Sequence, residues 1–151
     1  MRKLKIYLDT TVPNAYFDDR TLHRQEVTKQ FWLKINEYQV FISDLVIKEM
    51  NDTGDENLRQ KLIKKVKDFE LLSSESKEIE TLTQEYILRG TIPIKHIEDA
   101  IHIAIATVNS IDVLVSWNFK HIVKLKTKRE INAANTLLGY NIIEIVEPAM
   151  L

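Results

Sequence analysis

The chain has no cysteine among its 151 residues. That excludes disulfides and thiolate-held zinc, so any metal must be held by oxygen or imidazole ligands. Glycine and proline are scarce, three of each, which argues against linkers and repeats. No apolar run approaches the roughly 20 residues that a membrane span needs. The amino-terminal MRKLKIYLD begins with positive charge, but its apolar stretch breaks at Lys5 and Asp9, so neither a signal peptide nor a span is expected there. An excess of one charge is missing too: 21 basic residues stand against 22 acidic ones. What remains has the composition of a globular protein, expected to form one domain over residues 1–151 and to reside in the cytoplasm.

The charge that is present is unevenly placed. Lys120, Lys124, Lys126, Lys128 and Arg129 follow one another without an intervening acid, and Arg59 to Lys67 is also basic. Acids gather at Asp18-Asp19, Asp52 to Glu56 and Glu98-Asp99. Separate zones of this kind suit a polyanion along one face and cations in a pit nearby, although solvated helix faces would give the same pattern.

The most apolar part of the chain carries ionisable groups. In IEDAIHIAIATV, residues 97–108, Ile97, Ala100, Ile101, Ala104, Ile105 and Val108 follow the 3.6-residue period of a helix packed on a core. Asp99 and His102 share that helix, and an unpaired carboxylate in such surroundings is costly, so Asp99 needs a partner, a proton or a metal. His102, three residues on, is placed to orient Asp99 or to touch a substrate, and reads best as a hydrogen-bonded histidine at an interface between elements. After Asn109-Ser110 stops the helix, Val113-Leu114-Val115 reads as a short buried strand opening into the polar cluster Ser116, Trp117, Asn118.

Elsewhere strands are expected at Lys3 to Asp9, Val40 to Ile42, Phe69 to Leu72 and Ile142 to Val146. In the first, Leu4, Ile6 and Leu8 should share one face and Tyr7 the other. Helices are expected at Thr21 to Tyr38, from the N-cap Ser43 through Met50, at Leu58 to Asp68, Ser74 to Leu88 and Lys128 to Leu138. Thr10 to Asn14 looks like a turn into a helix with Pro13 at its start. Strands alternating with helices, with connections too long for hairpins, predict an α/β fold: a three-layer α/β/α sandwich on a central parallel sheet of about five short strands. In such sheets ligands bind beyond the carboxyl ends of the strands.

Three acids meet that criterion: Asp9 after the first strand, Glu49 after the second, and Asp99 on the central helix. Carboxylates gathered without cations raise one another's pKa, and a hard divalent ion, Mg²⁺ or Mn²⁺, resolves the conflict. Singly, Asp9 reads equally well as a turn cap and Glu49 as a solvated acid. Thr10 and Ser116 are placed to position water or phosphate, or to bond turn backbone. Trp117 is a candidate for stacking on a base or for anchoring its loop in the core. Lys120 and His121 are phosphate-contact candidates.

Taken in order, YLDTTVPNAYF, SDLVIKEM, EDAIHIAIA and LVSWNFKHI resemble the PIN-domain nucleases, and among them the VapC-like toxins of type II toxin-antitoxin systems. The resemblance implies a PIN-like fold and an acidic site of Asp9, Glu49 and Asp99, with Asn118 at a fourth position that is usually Asp and with Ser116 nearby. It implies Mg²⁺- or Mn²⁺-assisted hydrolysis of RNA phosphodiester bonds, in which Asp9 and Asp99 are metal ligands and Glu49 is a ligand or a base. Asn118 removes one negative charge, which bears most on a second metal. A cognate antitoxin and a homodimer are further implied partners. The alternatives are a nuclease for structured DNA or for ribosomal RNA maturation, and a PIN-like module weakened by Asn118 that binds RNA or protein without cutting. A phosphoacceptor receiver domain fits less well, because it expects an acidic pair after the first strand, where Asp9 is followed by Thr10-Thr11.

Overall fold

In a computed structural model describing residues 2–151, five parallel strands form one sheet. The strands are β1 (Lys5–Leu8), β2 (Gln39–Ser43), β3 (Glu70–Leu72), β4 (Val113–Val115) and β5 (Glu144–Val146). Between them run α1 (Thr11–Tyr16), α2 (Leu22–Leu33), α3 (Asp44–Asn51), α4 (Glu56–Val66), α5 (Lys77–Leu88), α6 (Ile97–Val108) and α7 (Leu125–Leu137). The strand order is β3-β2-β1-β4-β5. From β1 the chain winds outward through β2 to β3, then returns to lay β4 on the other side of β1. With right-handed crossovers, this reversal puts α1–α4 on one face and α5–α7 on the other. The packing agrees, α1 lying on α2 and α4 while α5 lies on α6 and α7. The result is the three-layer PIN-like α/β/α sandwich that the sequence led us to expect.

Both faces of β1 are covered. Tyr7 faces neither water nor a polar layer but is as fully buried as Ile6 and Leu8, because helices cover both sides of a parallel sheet. Its hydroxyl survives there by bonding to Ser43 and His102, each at 2.7 Å. A second buried network ties the α5–α7 layer together. The Tyr86 hydroxyl donates to Asn135 Oδ1 at 2.5 Å, and the Asn135 amide donates to Thr107 at 3.2 Å.

Helix ends differ from the sequence reading where caps outcompete pattern. Ser43 caps α3 as expected, accepting from the Val46 N–H at 3.3 Å. Asp55 and Ser76 cap α4 and α5, moving α4 to an earlier start and α5 to a later one than periodicity indicates. The segment expected to be helical through Tyr38 leaves α2 at Leu33 and finishes as a 3-10 turn at Ile35–Glu37. α7 begins three residues earlier than expected, at Leu125. Pro13 is the third residue of α1 rather than the first, still within the turn whose N–H groups have no helical partner. The apolar tail packs on α2, where the Lys34 ammonium donates to the Leu151 carbonyl. No helix among the described residues is long and apolar enough to cross a membrane.

Candidate active site

The place where strand order reverses, between β1 and β4, is where ligands bind in open α/β sheets. Leu8 pairs with Val115, so the next residues, Asp9 and Ser116, leave the sheet side by side. Asp9 is buried, at 2% exposure, and its carboxylate is held by two parallel relays. The Trp117 N–H donates to Thr11 Oγ1 at 2.9 Å, and that hydroxyl donates to Asp9 Oδ1, which also accepts from the Thr11 N–H at 3.1 Å. The Asn118 N–H donates to Ser116 Oγ at 2.9 Å, and that hydroxyl donates to Asp9 Oδ2 at 2.5 Å. Oδ1 is thereby saturated, while Oδ2 keeps a lone pair.

No Lys or Arg pairs with Asp9 or Asp99 among the described residues. Burial pushes the Asp9 carboxyl up, against the opposing pull of the His102 ring and the two hydroxyls. Asp99, on the first turn of α6, is half-buried and is likewise pushed up by burial, with His102 and the Asn118 amide working against the shift. Two carboxylates desolvated without a cationic side chain form a site that a bound cation would complete.

Glu49 projects from α3 into the same region. Its Oε1 accepts from the Thr10 hydroxyl at 2.6 Å and from His102 Nε2 at 2.7 Å. Burial raises this carboxyl, but the hydrogen bonds and charge supplied by His102 and Thr10 overcome it and leave Glu49 below its ordinary value. His102 therefore orients Glu49 rather than Asp99, the partner that the three-residue spacing suggested. Residues three apart on a helix are neighbours, not necessarily partners, and here the buried ring turns toward β1 and α3, where Tyr7 takes Nδ1. A carboxylate only accepts, so the proton on His102 Nε2 is fixed by Glu49.

Asn118 does not present its carbonyl to the pit. Its Oδ1 accepts from the His121 N–H at 2.9 Å, which turns the amide NH₂ toward Asp99. Trp117 is an anchor: 6% exposed, with its indole N–H on Thr28 Oγ1 at 2.9 Å. Of its two readings the indole bond and burial fit the anchor, and the part of the ring that stays exposed lines the groove beside Asp9. Lys120 is exposed, and with Thr11, Asn14, Arg24, Asn118 and Phe119 it lines a groove of about 510 Å³ beside Asp9. Arg24 lies over both Trp117 and Phe119, 5.4 Å from each ring centroid. Sequence reasoning missed Arg24 and Phe119, because a helix arginine and a loop aromatic 95 positions apart become neighbours only through the fold.

Asp9, Glu49 and Asp99 surround His102 but do not close on a common point. Among the described residues the group with three ligand atoms all within 4.8 Å of one another is His96, Asp99 and His121. A gap between the acids does not disqualify Mg²⁺, which keeps several waters and is usually held by one or two carboxylates plus substrate phosphate. The all-oxygen donor set, the free lone pair on Asp9 and the absent cationic partner fit such an ion.

The chain has a PIN-like α/β/α fold with these acids near its switch point. Its fold matches three solved toxin-antitoxin structures. One is the crystal structure of VapBC2 from Rickettsia felis bound to a promoter DNA fragment, at TM-score 0.63 and 15% identity over 95% of this chain and 98% of that one. Another is DNA-bound VapBC from Salmonella typhimurium, at TM-score 0.60 and 16% identity over 96% and 98%. The third is a toxin-antitoxin complex from Klebsiella pneumoniae, at 0.59 and 18% over 81% and 93%. No protein-family model and no curated protein matches the sequence.

Proposed function

We propose that this chain is a divalent-metal-dependent endoribonuclease, the toxin of a toxin-antitoxin pair. The observation that carries the reading is Asp9: a buried carboxylate with no Lys or Arg partner among the described residues, fixed by two hydroxyl relays at the switch point. The likeness in fold to toxin-antitoxin complexes supports the same reading.

Asp9 and Asp99 would hold the ion, Mg²⁺ or Mn²⁺. When bound, it supplies charge neutralisation on the scissile phosphate and acidifies a water. The chain's own residues do the rest. Thr11 and Ser116 hold the Asp9 carboxylate to one orientation, leaving one oxygen open. Glu49, ionised at neutral pH and steered by His102 and Thr10, has an unengaged Oε2 that accepts a proton from an attacking water. Asn118, through its Oδ1 and its backbone carbonyl, pins the loop that carries Lys120 and His121. The groove with Arg24, Phe119 and Lys120 takes the RNA backbone, the cations meeting phosphates and the exposed Phe119 ring meeting a base.

The protein partner under this reading is an antitoxin that covers the pit with a basic side chain, and the assembly is a homodimer. The test is cleavage of a single-stranded RNA with Mg²⁺, with Mn²⁺ and with EDTA, beside Asp99→Ala. Cutting that requires metal and is absent in the folded variant is the expected result, and cutting by Asp99→Ala equal to wild type would remove the site. A protein that cuts nothing while Asn118→Asp gains activity would instead be the weakened binding module.

A further inference from the structure

The group His96, Asp99 and His121 joins two segments far apart in sequence. His96 closes the short turn before α6, Asp99 is on the first turn of that helix, and His121 lies in the loop after β4. Their ligand atoms are all within 4.8 Å of one another, and all three side chains are half-exposed. The two imidazoles lie nearly face to face, with centroids 3.9 Å apart at 30°. The loop geometry that brings His121 here is built: its own N–H is taken by Asn118 Oδ1, and the Ile122 and Val123 N–H groups are both taken by the Asn118 carbonyl, at 3.0 and 2.8 Å.

We infer that His96, Asp99 and His121 form a second cation site, selective for a borderline first-row ion such as Zn²⁺ rather than for Mg²⁺. Two imidazoles and one carboxylate are a donor set that Zn²⁺ accepts and Mg²⁺ does not favour. Bonds of about 2.0–2.1 Å in a tetrahedron place ligand atoms roughly 3.4 Å apart. The three atoms therefore need to draw together by at most about 1.4 Å, which side-chain rotation at half-exposed positions supplies. Water completes the fourth position. Lys95, Lys120 and Lys124 lie close by and oppose a cation, but they are exposed and screened by salt. The site shares Asp99 with the pit and takes its other two ligands, His96 and His121, from the turn before α6 and the loop after β4. The inference rests on the nuclease reading only in that Asp99 is common to both sites.

The test is calorimetric titration of the purified protein with Zn²⁺ in excess Mg²⁺, for wild type, His96→Ala, His121→Ala, the double variant and Asp9→Asn. Melting curves confirm that each is folded. The expected result is one Zn²⁺ per wild-type chain, affinity reduced at least tenfold by either histidine change and lost in the double variant, and little change in Asp9→Asn. No Zn²⁺ binding by wild type, equal binding by the double variant, or loss in Asp9→Asn as deep as in the histidine variants would overturn it. Zn²⁺ binding of the expected kind by a protein that cuts no RNA would leave this site standing and remove the nuclease; cleavage without Zn²⁺ binding would do the reverse.

Discussion

Asp9 costs the fold stability in the absence of metal. Its carboxyl is raised by burial, as is that of Asp99. The folded protein therefore takes up protons at these groups before the unfolded chain does, and stability rises as pH falls through their folded-state values toward about 3.9, the usual Asp value. Glu49 has the opposite sign, since its contribution is present above about 4.3 and is lost as pH falls through its lowered value. In EDTA the melting temperature should thus rise as pH is lowered through the raised Asp9 and Asp99 values. Asp9→Asn should be at least as stable as wild type at pH 7 and should show a smaller rise. A variant that is less stable and keeps the full pH dependence would contradict the burial argument. The Tyr7 hydroxyl offers a second check at this scale. Tyr7→Phe strands the His102 Nδ1 in the core and should cost about 1–3 kcal/mol in denaturant unfolding, with Glu49 losing part of its orientation. His102 was legible in the sequence as a hydrogen-bonded histidine between elements, but its partners Tyr7 and Glu49 were not, because a helix position fixes a side chain's row and not the element that faces it.

Three helices end by the same device. α5, α6 and α7 are closed by Gly90, Ser110 and Gly139 at positive φ, each followed by a residue whose N–H reaches back to the carbonyl five positions earlier, as in Ile111 N–H to Ala106 O at 3.0 Å. All three stops were readable from sequence. Ser110 is the one that carries a Cβ in the left-handed region, at φ 55, so Ser110→Gly should stabilise the protein by about 0.5–1 kcal/mol, the relief of strain being partly offset by a freer unfolded chain. A measured loss of stability would mean that the Ser110 side chain does more than the backbone suggests. Helix starts were less legible than stops. Asp55 and Ser76 set the starts of α4 and α5 by side-chain caps, and a cap that overrides an apolar pattern leaves little periodic trace. The central helix was read to its ends, because α6 is apolar on nearly every side and admits only one register. Its one missed neighbour is His96, at the H-x-x-D spacing to Asp99. That spacing is visible in the sequence but gains meaning only when the loop after β4 brings His121 to it.

At the scale of the molecule, the site follows from topology. Asp9 ends β1 and Ser116 follows β4, strands separated by more than 100 residues in sequence yet paired in register, and the reversal of winding between them leaves a crevice open at their carboxyl ends. The parallel order and the strand-end acids could be foreseen from alternation and spacing. That β4 lies against β1 could not be read from spacing, and neither could the groove that Arg24 and Phe119 share. Cation binding at the pit should stabilise the whole fold by mass action, because the unfolded chain has no such site. Mg²⁺ should therefore raise the melting temperature of wild type and leave that of Asp9→Asn nearly unchanged.

The most direct measurement is the rate of single-stranded RNA cleavage in Mg²⁺ by wild type and by Asp9→Asn, an isosteric change that removes one charge. A fall of at least about a hundredfold in a variant that melts no lower than wild type is predicted, since an ion's stabilisation of phosphodiester hydrolysis amounts to several kcal/mol. Cleavage by Asp9→Asn within a few-fold of wild type, with the same Mg²⁺ dependence, would contradict the claim that the acids at the switch point are the catalytic centre.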